Sequence, residues 1–527
     1  MFKGKSLCVI NDFSIEERRY FFKKVYELKK AVMENDTKVL DTFRINDPNF
    51  GIYEVFLEDS TRTKESFRNA ANFHHAKLSE LLCTSSSINK GESYADTFNM
   101  LTGYDNTIFI VRSKVEGLCK WLDLQSENYI SRNNLPVKPA FINAGDGKHE
   151  HPTQELLDEF SFLEENNMDF DNIHIALVGD LYHGRTVHSK ADGLKVFKNC
   201  LVDLVAPKEL AMPENYVQKM KENGFTVRVF DSLDEYVKDD NISKLWYFTR
   251  PQLERMGERI LQKQVELRKA ITFKKEYLSI VKDGTKLYHP LPRHKEYPTI
   301  PTWVDNTPLN GYEMQAINGM YARIILLALI GGKIGNEFVP SDVKEEVKVK
   351  KEYITKVDLE NRDLKDRKFS EGVNPIRNGI VIDHICKGQD PKEIRSHMAL
   401  INDVLKLNDA KGGEWISSTH DGLYKGIIFR PGEYVLETKD LKRLAAVAPG
   451  ATLNIIKDGK VESKYRTTLP PRIYNFPDME CKNPACISHP DHSEGCTLEF
   501  TKRDDEGFTC IYCNTVHSYK EIFKSLK

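Results

Sequence analysis

The chain has 527 residues, a formal net charge of -2, 40% hydrophobic residues and 29% charged residues. This length exceeds what one hydrophobic core supports, so about three or four domains are expected. The near-neutral charge argues against a strongly basic nucleic-acid binder, and the longest apolar run, residues 324–330, is far shorter than the ~20 residues of a membrane span. We therefore expect a cytoplasmic protein without a membrane anchor.

Residues 5 to about 332 alternate short β-branched runs with amphipathic stretches. This alternation predicts open parallel sheets with helices on both faces, and its length predicts two such sheets, joined near residues 152–172. Ligands of these folds bind beyond the carboxyl ends of the strands. The predicted strands are 52–56, 107–111, 173–178, 201–205, 226–229, 244–248 and 286–288, and the predicted helices include 15–33, 63–77, 153–166 and 251–270.

Two segments that are far apart in this part of the chain indicate what kind of ligand the protein binds. The first, Ser60-Thr61-Arg62-Thr63, stands at a predicted helix start, where free backbone N–H groups favour a phosphate. The second, His289-Pro290-Leu291-Pro292-Arg293, is a turn stiffened by proline, whose carbonyls have fixed directions. Together they suit a small phosphorylated amide donor.

Further polar clusters stand at predicted strand ends. Taken singly, each has an ordinary explanation, because a histidine before proline is often a cap and an arginine in a loop is often solvated. Caps and solvated loops do not readily explain why all of these clusters occur together, in this order along the chain. The clusters are 86–92, Arg112, Gly145-Asp146-Gly147 with His151-Pro152-Thr153-Gln154, Gly179-Asp180 with Gly184-Arg185-Thr186, and Thr249-Arg250 with Gln252.

The remaining sequence predicts three further parts. Residues 333–372 are dense in charge and predict a solvated linker, with a charged helix packed on one domain as the alternative. Residues 373–470 combine β-rich runs with a helix at 436–447, which predicts an α+β domain. Residues 471–527 hold a cluster of cysteines.

The spacing of these cysteines is typical of a structural zinc site. Cys481 and Cys486 form one short pair, and Cys510 and Cys513 form the second. Four thiolates leave no open position, so we expect one structural zinc ion per chain that stabilises a tail too small for a sizeable core. The alternative is a small β domain with free cysteines, and Cys496, His489, His492 and His517 are competing ligands. Acidic residues in the tail argue against nucleic-acid binding.

The order of these segments resembles the aspartate carbamoyltransferases. Residues 5–332 are similar to the family's catalytic chain through the phosphate motif, the strand-end clusters and the proline turn described above. Residues 373–527 are similar to its regulatory chain, through 379–385, Ala448-Pro449 with Ala451-Thr452 and Asn454, and the segment from Cys481 to His489. The resemblance implies a fusion of both chains that makes N-carbamoyl-L-aspartate from carbamoyl phosphate and L-aspartate in pyrimidine biosynthesis.

The resemblance also implies a role for each matched residue. The predicted catalytic residues are Arg62, Thr63, Arg112, His151 and Lys90. Carbamoyl phosphate would be bound by Ser60, Thr61, Arg62, Thr63, Ser86, Lys90, Arg112, His151, Gln154 and the carbonyls of Pro290 and Leu291. L-Aspartate would be bound by Lys90, Arg185, Arg250 and Gln252, and Glu58 and Arg255 would bridge the two lobes on closure.

Within this resemblance, aspartate is favoured over ornithine as the acceptor. Ornithine enzymes carry a cysteine in the turn that here reads His289-Pro290-Leu291-Pro292, and Arg250 would repel a cationic side chain. The loop with Ser86 and Lys90 matches a loop that the family inserts into a neighbouring subunit's site. A homo-oligomer built on a trimer with shared sites is therefore expected. Asp59 departs from the family pattern, and the segment between Met33 and Gly51 is longer than usual.

In the family, the α+β domain binds ATP or CTP. The matched positions here are Asp383, His384, Arg430, Asn454, Ile456 and Lys464. Two of the expected residues differ, because Arg430 stands in place of a lysine and Asn374 in place of an acid. A domain that organises trimers without sensing nucleotides is the alternative.

The predicted organisation is α/β. Two doubly wound parallel-sheet domains precede an α+β nucleotide-binding-like domain and a four-cysteine zinc domain. Two other functions stay open, a carbamoyltransferase for another amino acid and a nucleotide- or nucleic-acid-binding zinc protein with an inactive catalytic half. The predicted domains are 1–152 for carbamoyl phosphate, 153–332 for aspartate with a last helix that packs back on the first, the linker 333–372, the regulatory domain 373–470 and the zinc domain 471–527.

Overall fold

A computed structural model describes residues 2–81, 87–104, 106–252, 263–340, 352–358, 376–419, 421–503 and 507–526. The chain forms two compact units, Met1–Asp342 and Val343–Lys527, and each is described by itself. Ser86, Arg255 and Asn374, which the sequence analysis singled out, lie outside the described residues.

The first sheet of the first unit has four parallel strands. The order across the sheet is Lys77–Leu81, Gly51–Phe56, Asn106–Ser113 and Ala140–Asp146. The sequence patterns predicted the two central strands but neither edge strand. The helices of this part are Ile15–Met33, Thr37–Phe43, Thr61–Phe73, Tyr94–Thr102 and Leu118–Asn133.

The first of these helices begins at a residue that the sequence identifies. Ser14 and Glu17 form a reciprocal capping box at its N-terminus, which satisfies two backbone N–H groups that would otherwise be unpaired. The helix Thr37–Phe43 occupies the long segment between Met33 and Gly51, and its Leu40 and Phe43 are buried in the core.

The second sheet has five parallel strands. The order is Thr226–Phe230, Asn199–Val205, Asn172–Val178, Leu245–Phe248 and Lys286–Tyr288. Chain order reverses on either side of Asn172–Val178, which creates the crevice where such sheets bind ligands. The helices are Pro152–Glu165, Arg185–His188, Lys190–Gly193, Glu214–Glu222, Leu233–Tyr236, Gln264–Ile271 and Tyr312–Ile330.

The helix Tyr312–Ile330 packs against Ile15–Met33, Thr61–Phe73 and Pro152–Glu165. It is the one helix of the described ranges that is long and apolar enough to cross a membrane, but 72% of its most apolar window is buried inside the protein. Its composition is therefore that of a core helix. Of the predicted helix 251–270, residues 253–262 lie outside the described ranges.

The second unit contains two antiparallel sheets. The larger has the order Ile354–Lys356, Lys460–Thr467, Thr452–Lys457, Gly379–Gly388, Tyr424–Pro431 and Gly413–Ser418, with the helices Pro391–Leu405 and Thr438–Val447. The smaller contains Arg472–Tyr474, Glu499–Lys502, Gly507–Cys510 and Val516–Ser518, followed by the helix Tyr519–Ile522.

Ile354–Lys356 is an edge strand within the predicted linker, paired with Lys460–Thr467. The linker prediction is wrong for these three residues. Strand pairing at a sheet edge uses backbone groups, so it leaves little signal in a sequence dense in charged side chains.

Candidate active site and metal centre

A cavity of about 630 Å³ opens at the carboxyl ends of the strands of both parallel sheets. Of the predicted substrate-binding residues that the structure describes, all except Lys90 line it. They are Ser60, Thr61, Arg62, Thr63, Arg112, His151, Gln154, Arg185, Arg250, Gln252, Pro290 and Leu291. Lys90 is exposed at the end of a short 3-10 helix, Ser87–Lys90, and does not line this cavity.

The Ser60–Thr63 segment forms the start of the helix Thr61–Phe73. Ser60 is the N-cap residue, but its side chain makes no capping hydrogen bond, so the hydroxyl is not consumed by the helix. The first backbone N–H groups of a helix bind anions readily. Burial lowers the pKa of Arg62, which lies in this first turn. The geometry therefore suits a phosphate.

Arg112, His151 and Arg185 converge at Gly145. A Cβ at Gly145 would lie 2.7 Å from Arg112 Nη1 and 3.2 Å from His151 Cδ2, and the backbone φ is +113°. Glycine is thus required here both by space and by backbone conformation. Arg112 Nη1 donates to Ala144 O at 2.9 Å, and Arg185 Nη1 donates to Gly147 O at 2.6 Å.

Arg112 also has an acidic partner, because its Nη2 lies 3.1 Å from Glu58 Oε2. Burial lowers the pKa of Arg112 to about 10, and nearby Arg185 adds to that shift while Glu58 opposes it. An anionic ligand that reaches Arg112 must therefore compete with the Glu58 carboxylate.

His151 is the N-cap residue of the helix Pro152–Glu165, and its side chain does not cap that helix. Its Nε2 lies 3.5 Å from Thr63 Oγ1, and its Nδ1 lies 3.4 Å from Thr153 Oγ1. Burial lowers the pKa of His151 well below its usual value, and three guanidinium groups, on Arg185, Arg112 and Arg323, lower it further. The imidazole is therefore neutral in this pocket.

The proline turn follows the strand Lys286–Tyr288. His289 is buried, its Nδ1 accepts the Leu291 N–H at 2.8 Å, and its own N–H donates to Gln315 Oε1 at 2.9 Å. Burial, together with nearby Arg293, lowers the pKa of His289 to about 3, so this ring is also neutral.

The structure adds residues that sequence patterns did not identify. Arg323 lines the cavity from the helix Tyr312–Ile330 and is 3% exposed. Burial lowers its pKa to about 9. The available sequence signal was that Arg323 is the one charged residue in the apolar stretch 319–330 of this helix. Gln315, from the same helix, also lines the cavity, whereas Asp158 lies behind it, bonded to Gln154.

The metal centre lies beside the smaller sheet of the second unit, with Cys510 at the end of a strand and the other three cysteines in connecting segments. The thiol sulfurs of Cys481, Cys486, Cys510 and Cys513 lie within 4.8 Å of one another, and all four residues are buried. Cys481 and Cys513 are 3.7 Å apart at sulfur, and Cys486 and Cys510 are 3.9 Å apart. Zn–S bonds of about 2.3 Å in a tetrahedron give sulfur separations of about 3.8 Å, so this donor set fits zinc.

Two of the competing ligands, His517 and Cys496, lie near this centre. His517 Nε2 is 3.5 Å from Cys481 Sγ, and Cys496 Sγ donates to Ile487 O at 3.6 Å. Ser488 Oγ lies 3.1 Å from Cys486 Sγ, and Thr515 Oγ1 lies 3.1 Å from Cys513 Sγ. Such neighbouring donors commonly orient thiolate ligands.

The predicted nucleotide residues divide between two sides of the larger sheet. Asn454 pairs with Val381 and Lys464 across neighbouring strands, and Asp383 Oδ1 lies 2.9 Å from Lys425 Nζ. His384 Nδ1 lies 3.2 Å from Thr452 Oγ1. Burial lowers the pKa of His384, and cations on Lys425, Lys464 and Arg466 contribute while Asp383 opposes.

Arg430 does not lie with these residues. It is 5% exposed and donates to Asn402 Oδ1, Glu414 Oε1 and Gly413 O, each at 3.0 Å. Asn402 belongs to the helix that covers the inner face of the sheet, so this guanidinium is engaged in the fold. Ile456 is half-buried in the strand Thr452–Lys457.

Comparison with family models gives four matches along the chain. Residues 5–164 match the aspartate/ornithine carbamoyltransferase carbamoyl-P binding domain, and residues 171–330 match the Asp/Orn binding domain. Residues 371–468 match the allosteric domain of the aspartate carbamoyltransferase regulatory chain, and residues 471–523 match its metal binding domain.

Two relatives resemble the chain over its whole length. Protein PyrBI of Treponema denticola is 63% identical, covering 100% of this chain and 99% of the relative. Protein PyrBI of Thermotoga maritima is 51% identical, covering 99% of each.

Solved structures resemble part of the chain. An aspartate transcarbamoylase from Trypanosoma cruzi in complex with N-(phosphonacetyl)-L-aspartic acid is 28% identical, with a TM-score of 0.53, covering 62% of this chain and 96% of that chain. A structure of the same enzyme with carbamoyl phosphate and aspartate has a TM-score of 0.52 and 28% identity, with coverages of 62% and 97%.

Proposed function

Because the chain belongs to the aspartate carbamoyltransferase family, with its catalytic and regulatory chains in one polypeptide, we propose specific roles for the residues of each half. The enzyme transfers the carbamoyl group of carbamoyl phosphate to L-aspartate and releases N-carbamoyl-L-aspartate and phosphate. The observation that carries the proposal is the convergence of the predicted substrate residues on one cavity. The proposed domains are 1–152 for carbamoyl phosphate, 153–332 for aspartate, 373–470 for regulation and 471–527 for zinc, with 333–372 connecting the halves apart from the strand Ile354–Lys356.

The phosphate of carbamoyl phosphate binds at the start of the helix Thr61–Phe73. Backbone N–H groups and the hydroxyls of Ser60, Thr61 and Thr63 donate to it, and Arg62 and Arg112 supply positive charge. On binding, the phosphate displaces Glu58 from Arg112.

The carbamoyl carbonyl lies between Arg112, His151 and Thr63. Negative charge develops on its oxygen as the amine attacks, and donors already in position stabilise that charge without reorganising. A neutral His151 donates through Nε2, which lies near Thr63 Oγ1.

The carbamoyl NH₂ group donates to Gln154 Oε1 and to the carbonyls of Pro290 and Leu291. Aspartate binds through its two carboxylates, with Arg185 at the α-carboxylate and Arg250 at the side-chain carboxylate, assisted by Gln252. These assignments are supported by the position of Arg185, Arg250 and Gln252, which all line the same cavity. Bidentate guanidinium–carboxylate pairing fixes the amine close to the carbonyl carbon.

The reaction needs no covalent enzyme intermediate. The aspartate amine attacks as the free base, and the C–O bond to phosphate breaks as phosphate leaves into the cationic pocket. A phosphate oxygen accepts the amine proton, so the proposal assigns no protein group as general base.

Lowering the pH from 8 to 6 is expected to leave His151 uncharged. Its pKa lies well below the ordinary ~6.5, so the imidazole becomes protonated only below this pH range. Protonation of His151 therefore does not affect the dependence of the rate on pH between 6 and 8. We expect His151→Asn to lower kcat about 10- to 100-fold at every pH while the kcat/KM profile keeps its shape. Steady-state rates from pH 6 to 8 test this, and an acid limb that disappears in the variant would contradict it.

The cytoplasmic enzyme is proposed to be a trimer in which Ser86 and Lys90 of one subunit complete the cavity of the next. In support, Lys90 is exposed and lies outside the cavity of its own chain. Lys90 would then contact carbamoyl phosphate and aspartate only in the assembled trimer.

The regulatory half is proposed to bind ATP or CTP beside Asp383, His384, Asn454, Ile456 and Lys464. Cations near His384 suit a triphosphate. A second candidate is an assembly domain that does not sense nucleotides, and the observation in its support is that Arg430 is engaged in the fold.

Aspartate saturation curves at saturating carbamoyl phosphate, with and without ATP or CTP, distinguish these candidates. We expect the nucleotides to shift half-saturation about two- to fivefold, and Lys464→Ala to abolish the shift without changing the curve in their absence. Lys460→Ala, which changes an exposed lysine at the start of the same strand, is the matched control. Turnover that neither nucleotide affects would identify the C-terminal half as an assembly domain.

A further inference from the structure

The carbamoyl group differs from other acyl groups in its NH₂, which can only be recognised by hydrogen-bond acceptors. The inference below rests on the proposed function, in which Gln154 Oε1 and the carbonyls of Pro290 and Leu291 are those acceptors. A glutamine amide presents either an acceptor or a donor, depending on its rotation about the last side-chain bond. Some group must therefore fix this rotation.

Asp158 fixes the amide of Gln154. Gln154 Nε2 donates to Asp158 Oδ1 at 2.8 Å, one turn further along the helix Pro152–Glu165. A carboxylate can only accept, so the NH₂ of Gln154 must face Asp158. The opposite atom, Oε1, is thereby left to face the cavity that Gln154 lines.

The same carboxylate oxygen orients a second amide. Gln315 Nε2 donates to Asp158 Oδ1 at 2.6 Å, and Gln315 Oε1 accepts the His289 N–H at 2.9 Å. His289 begins the turn that carries the carbonyls of Pro290 and Leu291. One carboxylate thus orients the Gln154 acceptor directly and the turn carbonyls through Gln315.

The second oxygen of Asp158 anchors the carboxylate. Asp158 Oδ2 accepts from Lys190 Nζ at 2.8 Å and from Tyr247 O–H at 2.7 Å, and the residue has no exposed surface. Burial alone would lower the pKa of Lys190, but Asp158 and Glu155 raise it above its usual value, so the ammonium stays charged. The four donors hold the carboxylate in one orientation.

We propose that Asp158 is a positioning residue that determines specificity for carbamoyl phosphate by fixing the amide orientations of Gln154 and Gln315. The competing explanation is structural, since Asp158 also neutralises the buried Lys190. That role alone would stabilise the fold without discriminating between ligands that carry an NH₂ and ligands that do not.

Asp158→Asn separates the two roles. The asparagine oxygen is expected to remain with Lys190, which can only donate, and its NH₂ then faces Gln154 and Gln315. Both amides must rotate to accept from it, so Gln154 presents a donor to the carbamoyl NH₂, and Gln315 presents a donor to the His289 N–H.

The test uses three probes on the full-length chain, namely carbamoyl phosphate, acetyl phosphate and inorganic phosphate. Acetyl phosphate has a methyl group in place of the NH₂, and inorganic phosphate lacks the acyl group. We expect Asp158→Asn to weaken carbamoyl phosphate binding about 10- to 100-fold, measured by calorimetry, and to change the other two affinities less than about threefold.

Matched variants control for a loss of stability. Tyr247→Phe removes one of the two hydrogen bonds to the far oxygen of the same carboxylate, but Lys190 still holds that oxygen, so we expect the preference for carbamoyl phosphate to be unchanged. Gln315→Met breaks the link to His289 without altering the charge on Asp158. It is expected to reduce the preference in the same direction, which keeps the test available if Asp158→Asn does not fold. In a Gln154→Ala background, Asp158→Asn should cost much less carbamoyl phosphate affinity.

The outcomes are separable. Equal weakening of all three probes, or an unchanged preference in both Asp158→Asn and Gln315→Met, would overturn the role of Asp158 while leaving the enzyme's function intact. A wild-type chain that binds carbamoyl phosphate and acetyl phosphate alike would overturn the proposed acceptor residues together with it.

Discussion

Replacing Arg62 with alanine is expected to lower kcat/KM for carbamoyl phosphate by roughly a thousandfold without unfolding the chain. Arg62 lies in the first turn of the helix Thr61–Phe73 and lines the cavity. Among the residues that the structure describes, its side chain makes no hydrogen bond or ion pair that would support the fold. We propose that its guanidinium instead binds the phosphate, where negative charge accumulates as the C–O bond breaks. Steady-state kinetics and the melting temperature together measure the effect.

Arg68→Ala is the matched control, because Arg68 lies on the same helix but outside the cavity. It pairs with Glu80 at 2.7 Å and with Glu54 at 3.3 Å. Arg68 is partly exposed but its partner Glu54 is fully buried, so its loss is expected to cost about 1–3 kcal/mol of stability and to leave kcat/KM unchanged. An Arg62→Ala enzyme that keeps more than about a tenth of wild-type kcat/KM would refute the phosphate site.

Replacing Cys510 with serine is expected to release the zinc ion and unfold the domain at 471–526, while the carbamoyl transfer itself survives. Cys510 is one of four buried thiols whose spacing fits tetrahedral zinc. In small zinc domains the metal contributes about 10–16 kcal/mol of folding free energy, so a domain of this size does not fold without it. Zinc content per chain, limited proteolysis of the C-terminal region and turnover give the three readouts.

Cys496→Ser provides the matched control for this prediction. Cys496 lies in the same domain but outside the four-sulfur cluster, with its thiol bonded to Ile487 O. We expect this variant to retain one zinc ion and a resistant C-terminal domain. If Cys510→Ser retained full zinc, the ligand assignment would fail. If turnover fell in proportion to zinc, the separation of catalysis from the metal would fail.

The parts of the fold that the sequence predicted well have strong local signals. The helix Ile15–Met33 has an amphipathic pattern and a capping box, and the strand Lys286–Tyr288 is followed by a rigid turn. In contrast, the strand Ala140–Asp146 was not predicted. Its sequence ends in Asn143, Ala144, Gly145 and Asp146, residue types that are typical of loops, yet parallel pairing with Asn106–Ser113 fixes it.

The active site was predictable to the extent that its residues lie in short motifs. Asp158 lies in a helix with several other acidic residues, where charged side chains are usually solvated, and only tertiary packing reveals that it is buried beside the cavity. For Arg430 the sequence predicted a functional role, whereas the structure shows a side chain bonded within the fold. The resemblance predicted a nucleotide contact at its position, but its planar guanidinium donates to Asn402 and Glu414 and is part of the fold.

The most direct test of the central claim is a comparison of L-aspartate and L-ornithine as carbamoyl acceptors at saturating carbamoyl phosphate. Arg185 and Arg250 both line the cavity, and we propose that they bind the acceptor. We therefore expect N-carbamoyl-L-aspartate as the product, with kcat/KM for aspartate exceeding that for ornithine by at least about a thousandfold, because a cationic side chain would lie against a guanidinium. Comparable rates with ornithine, or no transfer to aspartate, would contradict the proposed site.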